Sequence, residues 1–342
     1  MWTWMVATTF VAGNAWAQPP DVGDTLEPDE LVAMVAQHPA LRAAEARQLA
    51  AEAGVPSAAS RPAPRLSLGA APLTFGRDDV DPGVSVTLEQ GLAPPGWVAR
   101  SRRAAEREHD VRSAEVDMVR EALVADALQA FVDRWLVDRA LEVADRHAEL
   151  LAQLTARTRA RYEAGGGSRS DVLAVELAAV RVADERLAWT ERAGRLDAEL
   201  GSFVGVAGWV PPPLTLPDEL VVPHEGAAAP RGVEVARARA VASQARVPVA
   251  RAARGPKLGW MAQYSSMWSM PGHRWMAGAG VELPLSSRAD RARVASAEAV
   301  AHAAEAQHEA AGRQAQQELD AARVAVATAA ERLALAEGAR RQ

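Results

Sequence analysis

The 342-residue chain has no cysteine. That absence excludes disulfide frameworks, zinc–thiolate sites, thiol nucleophiles and a lipid-bearing N-terminal cysteine. Aromatic residues supply only 5% of the chain against a hydrophobic share of 49%. Ala, Val and Leu therefore carry the apolar content, which suits slim helix–helix seams better than thick cores. Lys257 is the sole lysine, and the scattered arginines read as a coding bias with no guanidinium-specific role. The formal charge of -6 is spread as mixed Arg, Glu and Asp. No basic stripe tracks a phosphate backbone, so no nucleic-acid partner is expected. After Gln18 no uncharged apolar run approaches the roughly 18 to 20 residues that a spanning helix needs. Passage across a membrane would therefore require strands. The chain also lacks a phosphate-cradling loop, a GxSxG elbow and a clustered acid–base pair, so neither enzyme activity nor a cofactor is expected. His302 and His308 stand six apart on different faces of a helix, and they read as solvated surface histidines rather than a zinc pair.

What is present begins with "MWTWMVATTFVAGNAWA", residues 1–17. It is uncharged and ends in the small-x-small step Ala15-Trp16-Ala17, which predicts a signal peptide cleaved before Gln18. It lacks a positive n-region, and a short buried N-terminal helix is the other reading of the same residues. The mature chain is written twice. Pro39 matches Pro230 and Val55-Pro56 matches Val247-Pro248, at offsets of 191 and 192, while "GVSVTLEQ" at Gly83 matches "GAGVELPL" at Gly278, at 195. This internal repeat divides the sequence into repeat one (18–207), a proline-rich connector (208–230) and repeat two (231–342). Each copy reads helix, strand, loop, strand, helix. Pro56 and Pro248 fall inside helical patterns, where each is expected to kink or divide its helix at a cost of about 3 kcal/mol.

Period-two alternation marks the strands: Val84, Val86 and Leu88 against Ser85, Thr87 and Glu89, and Ala277, Ala279, Val281, Leu283 and Leu285 against Met276, Gly278, Gly280, Glu282 and Pro284. "RLSLGAAPL" from Arg65 and "KLGWMAQYS" from Lys257 supply their partners, which makes two hairpins and four strands. A half-buried soluble sheet would show the same alternation. A helical pattern from about Trp97 to Ala164 predicts a rod of roughly 100 Å at 1.5 Å per residue. Val116, Leu123, Ala130, Val137, Ala144 and Leu151 fall seven apart on it, with Ala127, Leu141 and Ala148 completing a seam towards a neighbouring helix. "RYEAGGGSRSDVL", residues 161–173, then interrupts the rod. Gly165 can take the left-handed conformation, Gly166 and Gly167 permit reversal, and Ser168 or Ser170 can cap the next helix. The returning helix is expected to turn Leu173, Leu177, Val180, Leu187, Leu196, Leu200 and Phe203 towards the first.

Four strands cannot close a barrel, and only closed barrels or helices satisfy backbone polar groups in lipid. Chains would have to associate, two giving eight strands or three giving twelve. "HPALRAAEA" at His38, "LEQGLAPPG", "RYEAGGGSRSDVL" and "VELPLSSRADRARVASAEA" resemble the TolC-like outer-membrane efflux proteins. The resemblance implies a mainly α fold with a small β part: long antiparallel helices form a periplasmic tube, and two β-hairpins per chain enter a twelve-stranded barrel of a homotrimer. It further implies an outer-membrane lipid environment, a periplasmic adaptor and an inner-membrane pump as partners, and efflux or type I secretion as the activity. By the same resemblance Arg161, Tyr162, Gly165, Ser168, Asp171, Val172 and Leu173 match the tip where the adaptor docks. Arg161, Tyr162 and Asp171 are the candidates for contact, because a turn does not require those side chains. An offset of 191 to 195 from Arg161 places a second tip beyond Gln342, so repeat two reads as incomplete and truncated at the C-terminus, and no gate residues are assigned. The Met261, Met267, Met270, Met276 and His273 group could hold a soft metal. The preferred reading is an interfacial hairpin with Trp260, Trp268 and Trp275 in an aromatic belt, and no metal site is assigned. A periplasmic adaptor or coiled-coil scaffold is the alternative function, although it would not need two sets of alternating strands.

Overall fold

The computed structural model describes residues 24–71, 83–206, 208–216, 230–266, 270–283 and 288–341. The leader, most of the connector, Met267, Trp268, Pro284 and Leu285 lie outside the described residues. The elements in chain order are α1 (Pro28–Val35), α2 (Pro39–Ala58), β1 (Arg65–Ala71), β2 (Gly83–Leu92), α3 (Trp97–Glu163), α4 (Arg169–Val204), α5 (Arg231–Ala252), β3 (Lys257–Ser265), β4 (Trp275–Glu282) and α6 (Arg288–Arg341), with a 3-10 turn at Pro271–His273. Contacts divide the chain into two compact units, one of residues 1–43 and 119–225 and the other of residues 44–118 and 226–342.

In the first unit, apolar residues of α1, α3 and α4 bury one another. Leu31, Val35, Ala127, Phe131 and Leu200 close around Leu26 and Leu214. Leu26 and Leu214 form a parallel bridge, with the Leu26 amide donating to Pro213 O at 3.0 Å and the Thr215 amide to Leu26 O at 3.1 Å. The three prolines at 211–213 keep this stretch extended, which suits it to strand-like pairing and not to a helix. Further along α3 and α4, Val137, Ala193 and Leu196 form a second cluster flanked by Leu141 and Trp189. Beside it Arg134 donates to Asp197 at 2.6 Å and also to Asp138. Burial pulls the Arg134 guanidinium down, but the two carboxylates outweigh it and leave its pKa raised.

The expected apolar face of α4 is half right. Leu196 and Leu200 are buried, but Leu173, Leu177, Val180 and Leu187 are 55%, 52%, 64% and 70% exposed. The row turned to α3 runs one residue aside, through the buried Val172 and the half-buried Val175, Ala179, Val182 and Trp189 to Ala193. Bulky Trp189 and the ion pair Arg186–Asp145 at 2.6 Å select that row, and α4 keeps a second, leucine-rich stripe facing outward. α3 does the same. Val116, Ala130, Val137 and Ala144 are buried as the seam predicts, whereas Leu136, Val143 and Leu150, each one residue earlier, are 51%, 49% and 61% exposed.

The second unit holds an antiparallel sheet in the order β1-β2-β3-β4. β1 and β2 form one hairpin, β3 and β4 the other, and β2 joins β3 across the repeat with Leu88 opposite Ala262 and Leu92 opposite Leu258. α5 is clamped on two sides. Arg239 and Arg246 donate to Glu115 and Glu108 of α3, each at 2.7 Å, while Arg251 and Gln244 donate to Glu298 and Glu305 of α6, each at 2.6 Å. Burial raises the Glu115 carboxyl, yet hydrogen bonds from Arg239 and Arg112 overcome this and hold it below the usual range. The expected division at the prolines does not occur, since α2 runs through Pro56 and α5 through Pro248. Each proline lies within the last five or so residues of its helix, so little helix remains beyond the lost hydrogen bond.

Candidate functional site

The tip is a closed polar circuit. Gly165 takes φ 79°; its amide donates to Tyr162 O at 2.9 Å, and the Gly166 amide donates to Arg161 O at 3.0 Å. This pair of bonds is the Schellman arrangement that satisfies the last carbonyls of a helix. Gly167 lies so near the helix end that an added Cβ would stand 3.3 Å from the Tyr162 amide nitrogen. Ser168 then caps α4. Its Oγ accepts from the Asp171 amide at 3.1 Å, and the Asp171 carboxylate accepts from the Ser168 amide at 3.2 Å. This is a capping box with Asp in place of Glu. The Ser168 side chain, and then its amide, hold the Asp171 carboxyl below its ordinary value.

Two of the side chains expected to be free of the turn are part of it. Arg161 Nε donates to Gly166 O at 2.8 Å and latches the reversal, while Asp171 belongs to the cap. Of the seven tip residues, Gly165, Ser168, Asp171 and Arg161 build the turn and Val172 packs inward. Tyr162 and Leu173 remain outward, 44% and 55% exposed. Arg159 bridges to Glu176 across the hairpin at 2.5 Å.

The sheet has two chemically distinct faces, fixed by its register. Leu68, Val86, Tyr264 and Trp275 occupy one rung and Leu66, Leu88, Ala262 and Ala277 the next. Apart from Gln90 and the Tyr264 hydroxyl, this face carries apolar side chains among the described strand residues. Tyr264 and Trp275 stack at 5.1 Å and 58°. They flank a wholly apolar hollow of about 460 Å3 lined by Leu66, Val86, Leu88 and Ala262. On the opposite face stand Ser67, Ser85, Thr87, Gln263 and Ser265, glycines, two methionines and four charged residues. β4 ends at Glu282, so Leu283 stands outside the strand.

The methionine group is spread out. Met261 opposes Gly278 and Met276 opposes Gln263 on the polar face, while Met270 is 62% exposed before the 3-10 turn that holds His273. Trp260 and Trp275 lie on the apolar face, as an aromatic belt requires. Among the described residues no three His, Cys, Asp or Glu side chains gather to hold a metal ion. His302 is exposed beside Glu305 at 3.3 Å. His308 departs from the surface reading, because its Nδ1 is buried without a hydrogen-bond partner. It falls seven residues after Ala301 and seven before Ala315, both buried, on the row that α6 turns inward.

No described helix is long and apolar enough to cross a membrane, a statement that does not bear on strands. Residues 31–202 match the outer membrane efflux protein family. No curated protein matches the sequence. The fold is similar to a membrane protein from Pseudomonas aeruginosa, at 21% identity and TM-score 0.71 over 88% of this chain and 77% of that one. It is similar to the outer membrane protein VceC of Vibrio cholerae, also at 21% and 0.71, over 89% and 79%. The open state of the Neisseria gonorrhoeae MtrE outer membrane channel gives 16% and 0.67, over 88% and 75%.

Proposed function

The chain belongs to the outer membrane efflux protein family, and from that premise we propose that it is the outer-membrane channel subunit of a tripartite efflux or type I secretion system. The observation that carries this reading is the sheet, apolar on one face, polar on the other and, among the described residues, unpaired at both edges. Its strands of 7 to 10 residues approach the roughly 9 to 11 that cross a bilayer when tilted. Unpaired backbone groups in lipid cost several kcal/mol each. In this reading β1 of one copy meets β4 of the next and, as the resemblance to the family implies, three copies close a twelve-stranded barrel with the apolar face towards lipid.

The open leucine stripes on α3 and α4 support the same assembly. Heptad-spaced Leu136, Val143 and Leu150 have the spacing of a coiled-coil seam and stay about half exposed or more among the described residues, so in this reading neighbouring copies cover them and the helices become the wall of a periplasmic tube. In this reading residues 1–17 direct export, 18–207 and 231–342 are the two repeats, and 208–230 connects them. The tip meets a periplasmic adaptor that links the tube to an inner-membrane pump. The adaptor contact falls on Tyr162 and Leu173, the outward side chains of a turn that Arg161 and Asp171 hold rigid. Expression with the native leader, membrane separation and crosslinking test this. A trimer in the outer-membrane fraction is expected, and a soluble monomer that stays folded would instead favour a periplasmic coiled-coil scaffold.

A further inference from the structure

Resting on the reading of the sheet as barrel wall, we propose that its polar face carries a ring of mutually compensating charges at the inner mouth of the conduit, so that this mouth admits cargo of either sign.

The register carries the argument. All four strands have their helix-connected ends on the same side of the sheet, and the charged strand residues of the polar face, Arg65, Glu89, Lys257 and Glu282, lie towards that end. Arg65 stands directly opposite Glu89, and Lys257 directly opposite Glu282. The second pair closes at 3.0 Å. Each pair sums to zero. Within the strands, the residues of this face nearer the loop end are uncharged, and Arg274 stands just before β4, its carbonyl accepting from the Ser265 amide at 2.8 Å.

The Lys257–Glu282 pair stands in the open. Gly91, Gly259 and Gly280 lie side by side on three adjacent strands, one rung from it. They line, with the pair, a groove of about 820 Å3, and a Cβ added at Gly280 would meet nothing within 4 Å. The side chains are 54% and 72% exposed, so cargo and counter-ions can approach both. Three copies would place three ammonium and three carboxylate groups around the mouth. Opposite charges a few ångströms apart cancel over the Debye length of about 10 Å at 0.1 M salt, and an ion nearer the axis meets no net charge from these pairs. The lysine here is the only one in the chain, and its unbranched ammonium sits as a point charge against a single carboxylate.

The test uses the full chain reconstituted in planar bilayers, with the reversal potential read across a KCl gradient near 0.1 M. Relative to wild type, Glu282→Gln should shift the potential towards that of chloride and Lys257→Gln towards that of potassium. The double replacement should return it to the wild-type value. Single replacements that shift nothing, or a double replacement that keeps a shift, would overturn the compensated ring while leaving the channel reading intact. A correctly assembled trimer that carries no current would instead overturn the conduit reading, and this inference with it.

Discussion

The tip and the sheet treat their polar backbone groups in opposite ways. At the tip every device is internal: the Schellman bonds of Gly165 and Gly166, the Arg161 latch on Gly166 O and the Ser168–Asp171 box all close within residues 161–171. In the sheet, β1 and β4 are the edge strands among the described residues, and an apolar face spreads over four strands. The difference teaches where the molecule is complete and where it waits. The tip can present Tyr162 and Leu173 from a fixed turn in a single copy, whereas the sheet, in the proposed reading, is completed by other copies and lipid.

Breaking the sheet should therefore cost most. Leu88→Arg puts a charge on the apolar face, where burial near the bilayer midplane costs about 2–4 kcal/mol per copy. Loss of outer-membrane trimer on semi-native gels is expected, while Thr87→Arg on the other face retains it. Next comes Leu150→Glu on the open stripe of α3. It should abolish crosslinking between copies and leave the helical circular dichroism of α3 unchanged, because Leu150 is already 61% exposed within the chain.

At the tip the effects are local and smaller. Gly165→Ala forces a side chain into the left-handed region at a cost of about 1–2 kcal/mol, which should weaken amide protection over residues 161–171 without reducing trimer yield. The smallest effect is a pH dependence. The folded Asp171 pKa lies below its unfolded value, so its contribution to the cap is present above about pH 4, the ordinary Asp range. It is lost as pH falls through the lower folded value. Amide exchange at Ser168 should be flat from pH 7 to about 5 once corrected for intrinsic rates, and should accelerate relative to that baseline below about pH 4. Asp171→Asn should remove the dependence.

Local chemistry made much of this legible in the sequence. The three glycines and the Ser-x-x-Asp spacing name the turn at the tip, and period-two alternation marks β2 and β4, although the alternation runs on past Glu282, where β4 ends. What escaped depends on choices among near-equivalent faces or on long-range pairing. α4 carries two adjacent apolar rows, and the packing of Trp189 and Ala193 against α3, with the Arg186–Asp145 ion pair, accompanies Val172 turning inward while Leu173 and Leu187 turn out. The part played by Arg161 depends on the position of a carbonyl five residues away, which appears only once the reversal is built. The glycine rung joins Gly91 to Gly259, 168 residues apart, and no local pattern announces it. His308 could have been found, since it continues a row through Ala301 and Ala315, but comparing it with His302 alone hid that spacing.

The most direct test of the central claim uses the absence of cysteine. In outer-membrane preparations of the chain carrying either Val86→Cys or Thr87→Cys, labelling with a charged, water-soluble maleimide reads which face meets water. Rapid labelling at position 87 and protection at position 86 are predicted for a barrel whose apolar face meets lipid. Equal labelling at both positions, or labelling at 86 with protection at 87, would contradict it.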